Sequence, residues 1–166
     1  MVSIFELVTG LEDKKNTYAC GCMKQLEEES GISDSVYEYM DKFISMLDDE
    51  NSYVRNRALT LICANSKWDK KNKINNSIIK ILDHISDEKP ITSRTCIKHL
   101  PYLADNKPEL SDTICEALEK ADTLKYVDSM RGLVERDIND ALKKIKKQAI
   151  KCNYNNRAKC SIIFAF

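Results

Sequence analysis

Apolar residues recur three and four positions apart along most of the chain, which is the spacing of one face of an α-helix. Val54, Ala58, Leu61, Asn65 and Trp68 follow this spacing. The pattern continues in three further runs, which are Ile74, Ile78, Ile81, Leu82 and Ile85, then Cys96, Leu100 and Leu103, then Ile114, Leu118 and Ala121. Because no run alternates as a half-buried strand does, the pattern predicts an all-α protein.

Residues that start and stop helices separate these runs. Ser30-Gly31 closes one run, and Pro90 and Pro108 suit a first helical turn, where the missing N–H costs nothing. The pattern predicts about eight helices, near residues 2–9, 14–30, 33–48, 52–67, 73–86, 89–105, 108–121 and 125–151.

An internal repeat organises these helices. When residues 49–59 are laid over residues 87–97, acid falls on acid and small Ala58 falls on small Cys96, 38 positions later. Cys22 matches Ala58 at an offset of 36. A period near 40 describes one pair of helices per repeat. Because one pair cannot bury its apolar face alone, the pairs are expected to stack.

Residues 49–59, Asp-Glu-Asn-Ser-Tyr-Val-Arg-Asn-Arg-Ala-Leu, resemble the HEAT/armadillo signature, in which an aspartate precedes a Val-Arg step and a small residue. Residues 61–69 and 87–94 resemble a group of small, uncharacterised bacterial HEAT-like proteins, some of them labelled "SufBD". In the second repeat Ser93 stands where the signature has arginine, and Arg94 follows it. The resemblance covers residues 11–140 and is almost silent on function.

The repeat and the resemblance together lead us to expect a right-handed α-α superhelix, a HEAT/ARM-like solenoid of about 3.5 helix pairs. Residues 1–152 would form this single domain. Residues 153–166 would form a C-terminal tail that is a loop or a docked apolar end, since residues 154–156 have the composition of a loop and residues 161–166 are apolar apart from Ser161.

Composition and charge reduce the number of functional classes to which the protein could belong. The chain has 26 Lys and Arg against 26 Asp and Glu, and a zero net charge disfavours a dedicated nucleic-acid binder. Its seven cysteines are odd in number and include no C-x-x-C pair, which favours reduced, buried thiols and a cytoplasmic location. No stretch approaches the roughly 18 apolar residues of a membrane span, and the first residues lack the basic region of a signal peptide.

Five residues are candidates for partner binding: Trp68, Asp69, Arg55, Arg57 and Arg94. Trp68 either caps the core beneath the next helix or anchors a partner, since tryptophan is frequent in interface hot spots. The arginines lie in the first turns of equivalent helices. They either pair with acids of adjacent repeats, such as Asp49 or Asp87, or bind phosphate or carboxylate groups.

Three common catalytic or nucleotide-binding motifs are missing from the sequence. It has no G-x-S-x-G, no phosphate-binding glycine loop and no H-E-x-x-H. His84 and His99 lie off or beside the apolar stripes of their helices and are expected to be solvated. The acidic runs 27–29 and 48–50 are expected to be solvated helix ends. We therefore expect no enzyme activity, no metal site and no cofactor.

The C-terminal helix is basic. Between Lys143 and Lys159 the chain has seven bases and no acid, and five of them form a candidate patch made of Lys143, Lys144, Lys146, Lys147 and Lys151. An apolar stripe of Ile138, Leu142, Ile145, Ala149 and Cys152 runs through the same segment. Residues 138–152 either cap the last repeat or bind an anionic membrane surface, an acidic partner or nucleic acid.

The leading hypothesis is a non-enzymatic helical-repeat scaffold or adaptor that binds an unidentified protein or peptide through its groove. The first alternative is a nucleic-acid-binding protein similar to the HEAT-like alkylpurine DNA glycosylases, an analogy of fold alone. The second alternative is attachment to a membrane surface through residues 138–152.

Overall fold

The computed structural model describes the backbone of residues 2–163 and the side chains of residues 2–150. Every regular element in that part of the chain is helical, so the predicted all-α class is confirmed there. The α-helices are α1 (Ile4–Gly10), α2 (Asn16–Ile32), α3 (Met40–Ser45), α4 (Ser52–Ala64), α5 (Lys73–Asn76), α6 (Ile78–Asp83), α7 (Pro90–Asn106), α8 (Ser111–Glu119) and α9 (Asp128–Ile163). Short 3-10 segments lie at Ser35–Tyr39, Met46–Asp48, Ser66–Trp68, His84–Ser86 and Pro108–Leu110.

Four long helices are separated along the chain by shorter helical segments. The long helices α2, α4, α7 and α9 contact one another in chain order. Each also packs against the shorter segment that precedes it, with α1 on α2, α3 on α4, His84–Ser86 on α7, and α8 on α9. The long helices therefore form one row, and the shorter segments flank it.

The small residues that the internal repeat aligns are all buried, and two of them contact short helices. Cys96 Sγ lies 3.5 Å from the Ile81 carbonyl of α6, and Cys22 Sγ lies beside Gly10 of α1. Ala58 of α4 has no exposed surface, and Cys96 of α7 and Cys22 of α2 are buried as well. Small side chains at a helix contact allow the backbones to approach each other closely. The burial that the internal repeat predicts for these three positions is therefore confirmed.

Local sequence explains where several helices begin. The Ser3 hydroxyl accepts a hydrogen bond from the Glu6 N–H, and the Glu6 carboxylate accepts one from the Ser3 N–H, which is a complete capping box for α1. The Asn51 side chain accepts a hydrogen bond from the Tyr53 N–H and caps α4. Pro90 and Pro108 both lie in first helical turns, as predicted.

Two predicted helices are broken. Residues 33–48 form two 3-10 segments around α3, and residues 73–86 form α5, α6 and a 3-10 turn. Apolar periodicity does not detect such breaks, because the 3-10 and α-helical periods differ little over one turn. At the C-terminus the helical backbone runs through residues 154–156, where we expected a loop, and reaches Ile163. The expected docking of residues 161–166 lies outside the described side chains.

Candidate binding groove

Arg55 connects two neighbouring helix pairs. Its Nε donates to Asp87 Oδ2 at 2.9 Å, and its Nη2 donates to Asp87 Oδ1 at 2.8 Å. Its Nη1 donates to the carbonyl oxygens of Asp49 and Glu50 at 2.8 and 3.0 Å. Because the side chain is buried and its donors have partners inside the chain, Arg55 offers little to a ligand. The sequence left two interpretations of Arg55 open, and one of them was an ion pair with an acid such as Asp87.

Arg57 and Arg94 are also engaged within the chain. Arg57 is 4% exposed, and its Nη1 donates to Asn16 Oδ1 at 2.7 Å, while burial lowers its pKa. Arg94 Nε donates to Asp137 Oδ2 at 2.6 Å, and Lys98 adds a second, longer ion pair to the same carboxylate at 3.8 Å. The three candidate arginines therefore do not form a free row of guanidinium groups.

Trp68 ties the end of α2 to the loop after α4. Its Nε1 donates to the Ser30 carbonyl at 2.8 Å, and the Lys67 ammonium lies 4.7 Å from the centre of its ring. The side chain is half-buried. It also lines an open cavity of about 440 Å³. Trp68 thus packs at a helix end and shows part of its surface to solvent.

Asp69 is a buried structural anion. It accepts hydrogen bonds from Tyr37 Oη at 2.7 Å and from the backbone N–H groups of Lys73 and Ile74 at 2.9 and 3.1 Å. Lys107 Nζ lies 3.1 Å from its Oδ2. Burial alone would raise the pKa of Asp69, but the hydrogen bonds from Tyr37, Lys107 and the backbone outweigh it and hold the pKa low. Asp69 therefore organises the start of α5 and has no exposed oxygen for a partner.

The basic C-terminal segment has one face packed against the rest of the molecule and one face exposed to solvent. Ile138 and Ile145 are buried against the rest of the molecule, and Leu142 is partly buried. Ala149 is exposed. The exposed bases are Lys143, Lys144, Lys146 and Lys147, while Lys151 and Cys152 lie outside the described side chains. Up to Ile145 the apolar stripe therefore covers α7 and α8 and is not free to enter a membrane.

The two histidines depart from the prediction that both are solvated. His84 is 13% exposed in its side chain, and its Nδ1 lies 2.8 Å from Asp87 Oδ2, so the prediction for it was wrong. Asp87 follows His84 by three positions and brings its carboxylate to Nδ1 at the edge of the ring. His99 is half-buried and lines a cavity between α2, α4 and α7.

One cavity crosses three consecutive long helices. It has a volume of about 210 Å³. It is lined by Glu27 and Gly31 of α2, Thr60 and Ala64 of α4, and His99 and Tyr102 of α7. We call these six residues the groove pocket. Its floor is made of small side chains, and its walls are a carboxylate, an imidazole and a phenol ring.

Hydrogen bonds inside the helices set the polarity of the groove pocket. Thr60 Oγ1 donates to the Asn56 carbonyl at 3.0 Å. His99 Nδ1 lies 2.7 Å from the Thr95 carbonyl. Because a carbonyl oxygen only accepts, Nδ1 must carry the hydrogen, which leaves Nε2 of the neutral ring as an acceptor. Tyr102 is 45% exposed, so its ring is available to a ligand.

The sequence analysis did not identify the groove pocket. Its members are small residues, polar residues and one aromatic residue, and none of them belongs to a catalytic motif. One signal was present, since Ala64 and Tyr102 are 38 positions apart, the offset that aligns Ala58 with Cys96.

Comparison of the chain with protein-family models, curated proteins and solved structures gives no match. Among the described residues, no helix has both the length and the apolar character needed to span a bilayer. In the same part of the chain, no three His, Cys, Asp or Glu side chains come together as a metal site.

Proposed function

We propose that this protein is a non-enzymatic helical-repeat scaffold or adaptor that binds a protein or peptide across α2, α4 and α7. The groove pocket carries the proposal, because three consecutive helices contribute to it and its walls present groups suited to a peptide. Helix packing distances of about 8–10 Å give a span of roughly 20 Å across the three helices. An extended peptide covers that distance with about six residues.

The proposal includes a HEAT-like superhelix of about 3.5 repeats. The consecutive packing of α2, α4, α7 and α9 supports it. So do side-chain ties between neighbouring helix pairs, from Arg55 to Asp87 and from Arg94 to Asp137. Cytoplasmic residence belongs to the same proposal, since the described cysteines are free thiols.

The nucleic-acid alternative receives less support from the described side chains. Arg55 and Arg94 are paired with carboxylates, and Arg57 is 4% exposed, so none presents a free guanidinium to phosphate. A titration with duplex DNA tests this alternative directly. Affinity that falls steeply with salt concentration would favour phosphate binding over the adaptor proposal.

The test of the adaptor proposal is selection of binders from a library of random peptides longer than the groove, with the full chain as bait. Gly31→Leu is the blocking variant. A β-carbon at Gly31 has no heavy atom within 4 Å, so the position is open to substitution, and because Gly31 lines the groove pocket a leucine there would take up part of its volume. We expect this variant to lose the selected peptides by about tenfold or more, a change of about 1.4 kcal/mol.

Gly21→Leu is the matched control. Gly21 lies on the same helix, also has no heavy atom within 4 Å of its β-carbon position, and does not line the groove pocket. It lies about 15 Å along the helix from Gly31. We expect Gly21→Leu to bind as the parent does. Selection of no peptide, or equal binding by both variants, would contradict the adaptor proposal.

A further inference from the structure

We infer that the groove pocket receives a single cationic side chain, lysine or arginine, from the bound peptide. This inference rests on the adaptor proposal and adds the chemistry of the residue that is recognised. It follows from the polarity, the size and the charge of the pocket.

The polar groups of the pocket present acceptors. The Thr60 hydroxyl hydrogen is committed to the Asn56 carbonyl, so towards a further group this hydroxyl can only accept. His99 Nδ1 is committed to the Thr95 carbonyl, so Nε2 of the neutral ring accepts. The Glu27 carboxylate can only accept when ionised. A ligand group that satisfies all three must be a donor, and an ammonium or guanidinium group is a donor with no acceptor.

The aromatic wall favours the same ligand. The Tyr102 side chain is 45% exposed and lines the pocket. The face of a tyrosine ring attracts a cation within about 6 Å of its centre. Glu27 is the acidic member of the lining, and no lysine or arginine is among the described lining residues. The Lys67 ammonium lies beside the pocket, where it donates to the Gly31 carbonyl at 2.7 Å, and its repulsion is what Glu27 and Tyr102 must outweigh. Carboxylate and ring therefore act on a cation in the same direction.

The volume limits the ligand to one side chain. At about 210 Å³ the pocket is smaller than the roughly 300 Å³ at which sites for whole small molecules begin. Gly31 and Ala64 keep its floor low, and they leave room for the methylene stem of a long side chain. The charged end of such a side chain can reach the acceptors while its stem packs on the floor.

The experiment uses the peptides selected on the parent chain. We expect them to share a lysine or arginine, and we expect replacement of that residue by glutamine to weaken binding about tenfold. Glu27→Gln should weaken the basic peptide by a similar factor and should change the binding of its glutamine version little. Tyr102→Ala is a second variant, expected to weaken the basic peptide several-fold.

Glu28→Gln is the control, because it removes the same charge from an exposed neighbour that does not line the pocket. Equal effects of Glu27→Gln and Glu28→Gln would overturn the inference. So would selected peptides whose affinity does not depend on a basic residue. If Gly31→Leu still weakens peptide binding in either case, the adaptor proposal stands and only the inference of a cationic ligand side chain is rejected. If Gly31→Leu and Gly21→Leu bind alike, the adaptor proposal itself fails.

Discussion

Two parallel hydrogen bonds, of 2.9 and 2.8 Å, join the guanidinium of Arg55 to the carboxylate of Asp87, which lies 32 positions later in the sequence and in the next helix pair. Both side chains are less than a tenth exposed. Lys80 and Asp48 also pair across 32 positions, but the Asp48 side chain is 75% exposed. The chain therefore contains a buried and an exposed ion pair of equal sequence separation.

Removing one partner of the buried pair should destabilise the protein strongly. We expect Arg55→Met to lower the free energy of unfolding by about 3–5 kcal/mol, because Asp87 then remains buried without its cation. Lys80→Met is the control and should cost less than about 1 kcal/mol, since an exposed pair is screened by water. Urea unfolding followed by circular dichroism measures both. Similar losses for the two variants would contradict this account.

Acid should weaken the same contact. Burial alone raises the pKa of Asp87, but hydrogen bonds from His84, Arg55 and the Lys89 N–H outweigh it and hold the pKa well below its usual range. Because the folded state binds this proton less readily than the unfolded chain, its stabilisation is present above the unfolded pKa of about 3.9 and is lost as the pH falls further.

Urea unfolding at a series of pH values tests that dependence. Between neutral pH and about pH 3 the free energy of unfolding should fall, and it should fall less in Asp87→Asn, which has no carboxyl group to protonate at that position. The variant will be less stable at neutral pH, so the comparison concerns slopes and not absolute values. Parallel slopes for the two proteins would show that Asp87 does not contribute to the acid response.

Cysteine reactivity should follow burial. Burial raises the pKa of the Cys63 thiol to about 12 and raises that of Cys96 well above its usual range. The thiolate is the reactive form. In the folded protein we therefore expect a thiol reagent to label the partly exposed Cys20 and Cys115 first, and to label Cys22, Cys63 and Cys96 only after unfolding.

Peptide mapping by mass spectrometry identifies each labelled cysteine. Cys152→Ser and Cys160→Ser keep two cysteines outside the described side chains from competing for the reagent. Unfolding in urea supplies the fully labelled reference. Labelling of Cys63 in the folded protein at the rate of Cys20 would mean that the core around α4 opens readily.

A side chain at position 10, where the chain has glycine, should lower the stability of the protein. It closes α1 where this helix meets α2, and a β-carbon there would lie 2.7 Å from Cys22 Sγ and 3.1 Å from Tyr18 Cε1. Because Cys22 is itself buried, either its Sγ must turn within the core or α1 must move, and either change disturbs the packing. We expect Gly10→Ala to lower the free energy of unfolding by about 1–3 kcal/mol.

Gly132→Ala is the control for this substitution. Gly132 lies within α9, and a β-carbon there has no heavy atom within 4 Å. Alanine stabilises a helix interior relative to glycine by about 0.5–1 kcal/mol. Thermal unfolding should therefore shift to lower temperature for Gly10→Ala and to higher temperature for Gly132→Ala. A shift of equal sign in both would contradict the close contact between α1 and α2.

Much of the fold was predictable from the sequence, and most of the site was not. The helices that contain Ala58 and Cys96 were predicted close to their observed bounds, because burial of one helix face leaves a period that a single sequence shows. His84 was misplaced because its ring is held by Asp87, three positions later, and Asp87 is itself fixed by Arg55 from an earlier helix, which periodicity does not reveal. The predicted superhelix and the adaptor function stay predictions.

The sequence by itself determined the all-α class, most of the long helices, and the burial of the small residues that the repeat aligns, because a helix that buries one face leaves a period along the chain. Only the tertiary structure decided that Arg55 pairs with Asp87, and that Glu27, Thr60 and Tyr102 from three helices line one cavity. Periodicity tells which side of a helix faces inward. The distance and angle between helices decide which exposed side chains meet, and those depend on packing across the whole molecule.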